Sequence, residues 1–169
     1  MRRVLRAIDS ISDSMAWAMK YFCFALILIV CFDVTMRYAF NAPTEWAFEL
    51  AMMIGCTLYA LAWTYTQRHK AHMRVDVIYS HLSPRGKAVV DILGTLLVFL
   101  PLVIVLTSVS FSYMWRAWEI NELSIETTWY PPIAPLRTVV VLGFLLLGLQ
   151  TAAQFIRDLH LLVKKVPYD

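Results

Sequence analysis

Four runs of apolar residues divide the chain, at about 15–38, 44–66, 88–115 and 133–156, with most of the charge between them. Each run reaches the ~20 residues that a helix needs to cross a hydrocarbon layer ~30 Å thick. Ahead of the first run, Val4, Ile8, Ile11 and Met15 recur on one helical face. Arg2, Arg6, Asp9 and Asp13 take the opposite face. That pattern predicts an amphipathic helix over 2–14, lying in the inner membrane interface. No Gly or Pro separates it from the first run, so a single longer first helix stays open as the alternative. Trp17, Lys20 and Tyr21 are read as marking the inner edge of the first span. The run is not read as a cleaved signal, because it is too long, holds Lys20 and Asp33, and lacks a small-x-small site. The third run exceeds what the bilayer requires, which predicts tilt, and Pro101 in its middle is placed to kink it. The fold class expected is an all-α integral membrane protein, with four transmembrane helices plus the interfacial helix, forming a single membrane domain over 1–169.

Composition agrees with the pattern. Of the 169 residues, 60% are apolar and 16% charged, where a soluble domain carries about 25% charged residues. Cys23, Cys31 and Cys56 all fall inside apolar runs without a CxxC spacing. They read as small packing residues rather than a disulfide framework or a redox pair.

Charge sets the expected orientation. The N-terminal segment, the 67–87 connection and the C-terminal segment hold eleven of the 15 Lys and Arg residues. Arg37, Arg116 and Arg137 are the basic residues of the two other connections. By the excess of basic residues on the cytoplasmic side, both termini are expected inside. The inner basic loop suits anionic phospholipid headgroups, and no nucleic-acid partner is expected, since basic residues flanking spans are the norm.

Ionisable residues near the span ends are the candidate site residues. Asp33 and Arg37, four apart, can pair on one helix face. Asn41 and Pro43 turn the chain into the second span. There Glu45 and Glu49 face the helix dipole, and Trp46 joins the outer aromatic belt. Glu49 lies a turn deeper in the apolar run and needs a partner, for which Arg37 is the nearest expected. On that reading Arg37→Ala destabilises the chain more than Lys87→Ala. In the inner connection, His72 and Asp76 have helical spacing, but with cationic neighbours and no cysteine nearby they read as a wet turn, not a metal site. The outer connection 116–136 holds Glu119, Glu122, Glu126 and Trp129, either a solvated loop or a docking surface for a protein outside the membrane.

Catalytic chemistry is not expected. No Gly-rich phosphate loop, HExxH pair or nucleophile with its base stands out. The four histidines map to the inner side, which disfavours a haem anchor. The middles of the spans are almost wholly apolar, unlike the broken polar helices of midplane solute sites.

The stretches "RYAFNAPTEWAFEL", "HKAHMRVDVI" and "ELSIETTWYPPIAPLR", in this order, resemble the small membrane subunit (DctQ/SiaQ type) of tripartite ATP-independent periplasmic (TRAP) transporters. The likeness covers essentially the whole chain. One departure is "WYPPIAPLR", where the family often has a Pro-x-Gly step. The resemblance implies a static accessory subunit in a bacterial inner membrane. Its partners would be a large membrane subunit, which carries the solute and sodium sites and moves as an elevator, and a periplasmic binding protein that delivers a carboxylate. It implies no catalytic, substrate, metal or cofactor site in this chain. Arg37, Trp46 and Glu49 would fix the outer hairpin, and Glu126 and Trp129 would shape the adjacent loop. The alternative is a self-sufficient small homo-oligomeric transporter with Glu49 as the coupling carboxylate.

Overall fold

The computed structural model describes residues 2–68 and 84–164. The expectations for His72 and Asp76, and for the amphipathic segment around them, lie outside the described residues. Helix α1 spans Arg2–Ala39 and α2 Glu45–Arg68. Helix α3 covers Pro84–Gly94 and passes through a π-helical turn, Thr95–Phe99, into α4, Leu100–Glu119. Helix α5 runs over Ala134–Lys164. Among the described residues, four helical stretches are long and apolar enough to cross a membrane: Ile8–Ala39, Glu45–Arg68, Val89–Glu119 and Ala134–His160. The fold is an all-α membrane protein.

Two expectations change in detail. The 2–14 segment is not a separate helix, since α1 continues unbroken from Arg2 to Ala39. Nothing between them disrupts the i→i−4 ladder, and Asp9 and Ser12 are used inside the fold rather than along a free polar face. Pro101 is accommodated rather than placed against an ordinary turn. Lacking an N–H and crowding the carbonyl four residues back, it follows directly on the π turn, where the Leu100 N–H donates to the Thr95 carbonyl. Wide π turns of this kind absorb such a misfit within an otherwise continuous helix.

The helices stand in a row. Helices α2 and α5 occupy the middle, α1 lies against α2, and α4 against α5. Burial follows that order: in the most apolar 18-residue stretch of each span, 39% of residues are buried for α5 and 22% for α2, against 6% for Val89–Glu119 and 0% for α1. Lipid gives helices no hydrophobic drive to associate, so close approach of small residues has to supply the contact. Here Gly143 of α5 lies against Ala60 of α2, so close that a Cβ on Gly143 would sit 2.8 Å from the Ala60 Cβ. Around this crossing, Phe144 stacks on Trp63 with ring centroids 4.7 Å apart. Phe144, Val103 and Leu147 form the buried apolar cluster, flanked by Trp63, Phe99 and Val140.

Three threonine hydroxyls within the spans are satisfied locally, while the buried Thr64 Oγ1 has no hydrogen-bond partner among the described residues. Thr57, Thr107 and Thr151 each donate to the carbonyl four residues back, at 2.7–2.9 Å, which costs little in a helix and leaves no donor facing lipid.

The α2–α5 crossing generates a test. Gly143→Ala is expected to destabilise the purified chain by about 1–3 kcal/mol through overpacking. Ala60→Gly in the same molecule should recover part of the loss. Thermal unfolding in lipid nanodiscs measures both; an unchanged midpoint in the single variant would place the helices further apart than described.

Candidate functional site: carboxylate clamps at the two ends of the helix row

At the outer end, side-chain carboxylates fasten the loops. Asp33 of α1 accepts two hydrogen bonds from Thr44, from N–H at 3.2 Å and from the hydroxyl at 2.6 Å. Its other oxygen takes Arg37 Nη2 at 2.9 Å. Thr44 immediately precedes α2, so Asp33 supplies from the neighbouring helix the kind of acceptor a cap would supply from within. Asn41 closes the end of α1 in the left-handed region, with φ 52°, a conformation asparagine tolerates better than most side chains.

The expected Arg37–Glu49 pair does not form. Thr44 faces α1, and Glu49 is five residues further along a helix that turns about 100° per residue. That rotation points Glu49 away from α1 and towards the α4–α5 loop. Glu49 is 3% exposed, and its Oε1 accepts the Thr127 N–H at 3.1 Å and the Thr127 hydroxyl at 2.9 Å. One turn earlier, Glu45 Oε2 accepts the Thr128 N–H at 3.2 Å and also its hydroxyl. Two carboxylates spaced i, i+4 therefore hold two consecutive threonines. This contact joins the first outer connection to the second.

The second outer connection is ordered by its own bonds. At the end of α4, Asn121 has φ 47°, and the Glu122 N–H donates to the Ala117 carbonyl at 3.0 Å, the 6→1 closure of a Schellman turn. Leu123 and Pro132 form an antiparallel bridge. Arg137 of α5 grips Glu122 with two bonds of 2.6 Å and donates to the Tyr113 carbonyl at 3.1 Å. The Trp118 indole donates to Thr138 at 3.0 Å. Tyr130, in the WYPP stretch, has φ 48°, unusual for a bulky residue.

Of the three glutamates expected in the 116–136 connection, two are engaged: Glu122 by Arg137, and Glu119 by the Trp115 indole at 2.7 Å. Glu126 and Trp129 remain on the exposed surface of the loop. Trp46 is also exposed and packs beside Phe32, with centroids 5.6 Å apart.

Sequence reasoning missed the inner clamp. Asp9 accepts Arg157 Nη2 at 2.5 Å and Gln150 Nε2 at 3.3 Å. Arg68 donates to the Asp9 carbonyl at 2.7 Å and pairs with Asp13. Ser12 and Gln150, both fully buried, meet at 3.2 Å. The cluster brings the first turns of α1, the end of α2 and the last turns of α5 to the same end of the molecule. The signal was present in the i, i+4 spacing of Asp9 and Asp13 on a helix leading into a span, but it equally fits a solvated face.

Among the described residues, no three His, Cys, Asp or Glu side chains are grouped to hold a metal. In the clamps the carboxylates take threonine, glutamine and arginine donors, with Glu49 Oε2 alone among their buried oxygens left unpartnered in the described residues. What they do chemically is position loops.

Two stability effects follow. Thr127→Val is expected to cost about 1–3 kcal/mol, the range for depriving a buried acceptor of a donor. Arg37→Ala should cost less than Arg137→Ala, because Asp33 keeps both Thr44 donors while Glu122 loses both bonds to the guanidinium. The order would be reversed if Arg37 were the partner that Glu49 depends on. Unfolding midpoints of the three variants, measured together, decide.

Against known proteins, the family model described as "Tripartite ATP-independent periplasmic transporters, DctQ component" matches residues 26–161. No curated protein matches the chain. The match takes in the outer clamp, the α2–α5 crossing, and Gln150 and Arg157 of the inner clamp. The chain belongs to the DctQ family, the small membrane subunits of TRAP transporters.

Proposed function

We propose that this chain is the fixed accessory subunit of a sodium-driven importer of an organic acid. A larger membrane subunit carries the solute and sodium sites and moves against it, and a secreted binding protein delivers a carboxylate solute. The observation that carries this reading is the arrangement of the polar groups. They are gathered into clamps at the two ends of the helix row, and the α2–α5 crossing between the ends is closed by Gly143, Ala60 and stacked rings. A protein built this way has a stiff frame and little with which to bind a polar solute in the membrane.

The inner clamp places the start of α1 and the end of α5 together, at the end of the molecule where basic residues are most numerous. That supports both termini facing the cytoplasm of a bacterial inner membrane. The outer clamp then faces the periplasm, where Glu126, Trp129 and the rest of the 120–133 loop surface would meet the binding protein. No cofactor is assigned to this chain.

Glu49 is the residue on which a self-sufficient transporter would have to run. Its burial and the unpartnered Oε2 keep that second reading testable. Liposomes holding the isolated chain are expected to show no solute flux. The large subunit together with this chain and the binding protein should give sodium-dependent uptake, and leaving this chain out should abolish it. Flux through the isolated chain that Glu49→Gln removes would overturn the proposal in favour of the second reading.

A further inference from the structure

Lys20 is out of place for a residue at a membrane edge. Helices α1 and α2 are antiparallel, and their contacts fix the register. Asp33 meets Thr44 and Phe32 lies beside Trp46 at the outer end. Leu61 shares a groove with Ser14 and Met15, and Arg68 reaches Asp9 at the inner end. Interpolation places Lys20 level with about Thr57, halfway along the 24 residues of α2. At 1.5 Å per residue, Lys20 stands roughly 10 Å along α1 from Asp13, the nearer carboxylate of the inner clamp, and roughly 16 Å from Asp9. The first span therefore does not begin at Lys20. On this register the lysine lies inside the apolar stretch shared by α1 and α2 rather than at its end.

It also faces outward. The residues of α1 shielded by the rest of the chain follow one stripe: Ser12, Met15, Met19, Leu26, Ile29 and Asp33. Most of the rest of α1 is exposed, and on that surface Lys20, Phe24, Ile27, Cys31, Val34 and Tyr38 share one stripe. Its spacing alternates four and three, the pattern of a seam that receives another helix at a shallow crossing angle. Within the chain, the Lys20 ammonium has aromatic faces, with the Trp17 ring centroid at 4.4 Å and the Tyr21 centroid at 5.1 Å. No carboxylate of this chain is paired with it among the salt bridges of the described residues.

We propose that the exposed seam of α1 receives a transmembrane helix of a partner protein that places an Asp or Glu against Lys20. A lysine in the apolar layer is expensive unless it pairs or reaches the interface. A lysine side chain extends about 6 Å, short of the roughly 10 Å to the Asp13 layer, so an inner-leaflet phosphate does not meet the need. A carboxylate on a neighbouring helix at the same depth does. The aromatic rings hold the cation in place until that partner is docked. The proposal rests on the reading that this chain works beside a larger membrane subunit, and assigns α1 rather than α4 as the flank that carries the charged contact.

The test places a photoreactive benzoylphenylalanine at Phe24, which is 62% exposed and one turn from Lys20, and uses the full-length chain in native membranes together with the large subunit. The expected result is an adduct to a second membrane protein, reduced at least tenfold by Lys20→Glu. Changing one intramembrane carboxylate of the adduct's partner to Lys should restore it. Lys20→Glu should leave the unfolding midpoint of the isolated chain unchanged, which separates a docking defect from misfolding. Adducts to lipid only, adducts to a second copy of this chain, or a protein adduct indifferent to Lys20→Glu would each overturn the proposal. An adduct to some other membrane protein that depends on Lys20 would uphold the ion pair while removing the large subunit as its holder. The two readings therefore fail separately.

Discussion

Within a bilayer a buried acceptor has no water to turn to, and a carboxylate there must find its donors within the protein. Asp33, Glu45 and Glu49 meet this constraint in one way: each takes both the backbone N–H and the hydroxyl of a single threonine. A threonine at the start of a helix or in a tight turn presents those two donors side by side. Its backbone N–H is also a group that would otherwise go unpaired. One carboxylate therefore satisfies an orphan backbone donor and fixes the loop that carries it. At the outer end this happens three times, on threonines 44, 127 and 128. The first outer connection is thereby tied to α1 and the second to α2.

The interior of the row follows a different rule. Where no polar group is available, helices in lipid are held by dispersion contacts that fall away steeply with distance. Gly143 against Ala60 lets the backbones of α2 and α5 approach closely enough for Trp63 and Phe144 to stack beside them. Among the described residues the α4 flank approaches less closely: a Cβ on Gly148 of α5 would lie 3.4 Å from Val103 Cγ1. Helix α1 is held by α2 along its length and by the inner clamp through Asp9 and Ser12, and α4 by α5 and by the Arg137–Glu122 pair next to its end. The ends of the row thus stabilise what the middle of the flanks does not.

This division explains what could be read from the residues alone. Span number and the outer turns are matters of hydropathy and local chemistry, so the four crossings and the turn at Asn41 and Pro43 were legible. Asp33 with Arg37 was legible because i, i+4 geometry is local. Glu49 was recognised as needing a partner, but the partner was misassigned. The choice between Arg37 and Thr127 depends on which way the face of α2 turns, and hence on a packing angle between helices. Asp9 and Asp13 failed for a related reason. An alternating polar stripe looks the same whether water or two arginines from distant helices face it. Lys20 was placed at the membrane edge because aromatic and basic neighbours usually mark one. The register of α1 on α2, which is not local, is what motivates the deeper placement proposed above.

A chain with a buried middle and bare flanks is half of an interface. Lipid could cover an apolar flank without cost, and for α4, which carries no charge between Leu100 and Trp115 and whose exposed Ser108 and Ser112 bond to carbonyls of their own helix, nothing more is required. Helix α1 differs by one charge. On the placement proposed above, an ammonium held among apolar residues by two rings is tolerable in an assembly that brings a carboxylate to it and poorly tolerated without one. The cost of leaving it bare is then a driving force for association. In a membrane, where apolar surfaces alone discriminate weakly between partners, such a pair also sets which helix docks and at what height. For a frame against which another subunit must move repeatedly, a fixed height is the property that matters most.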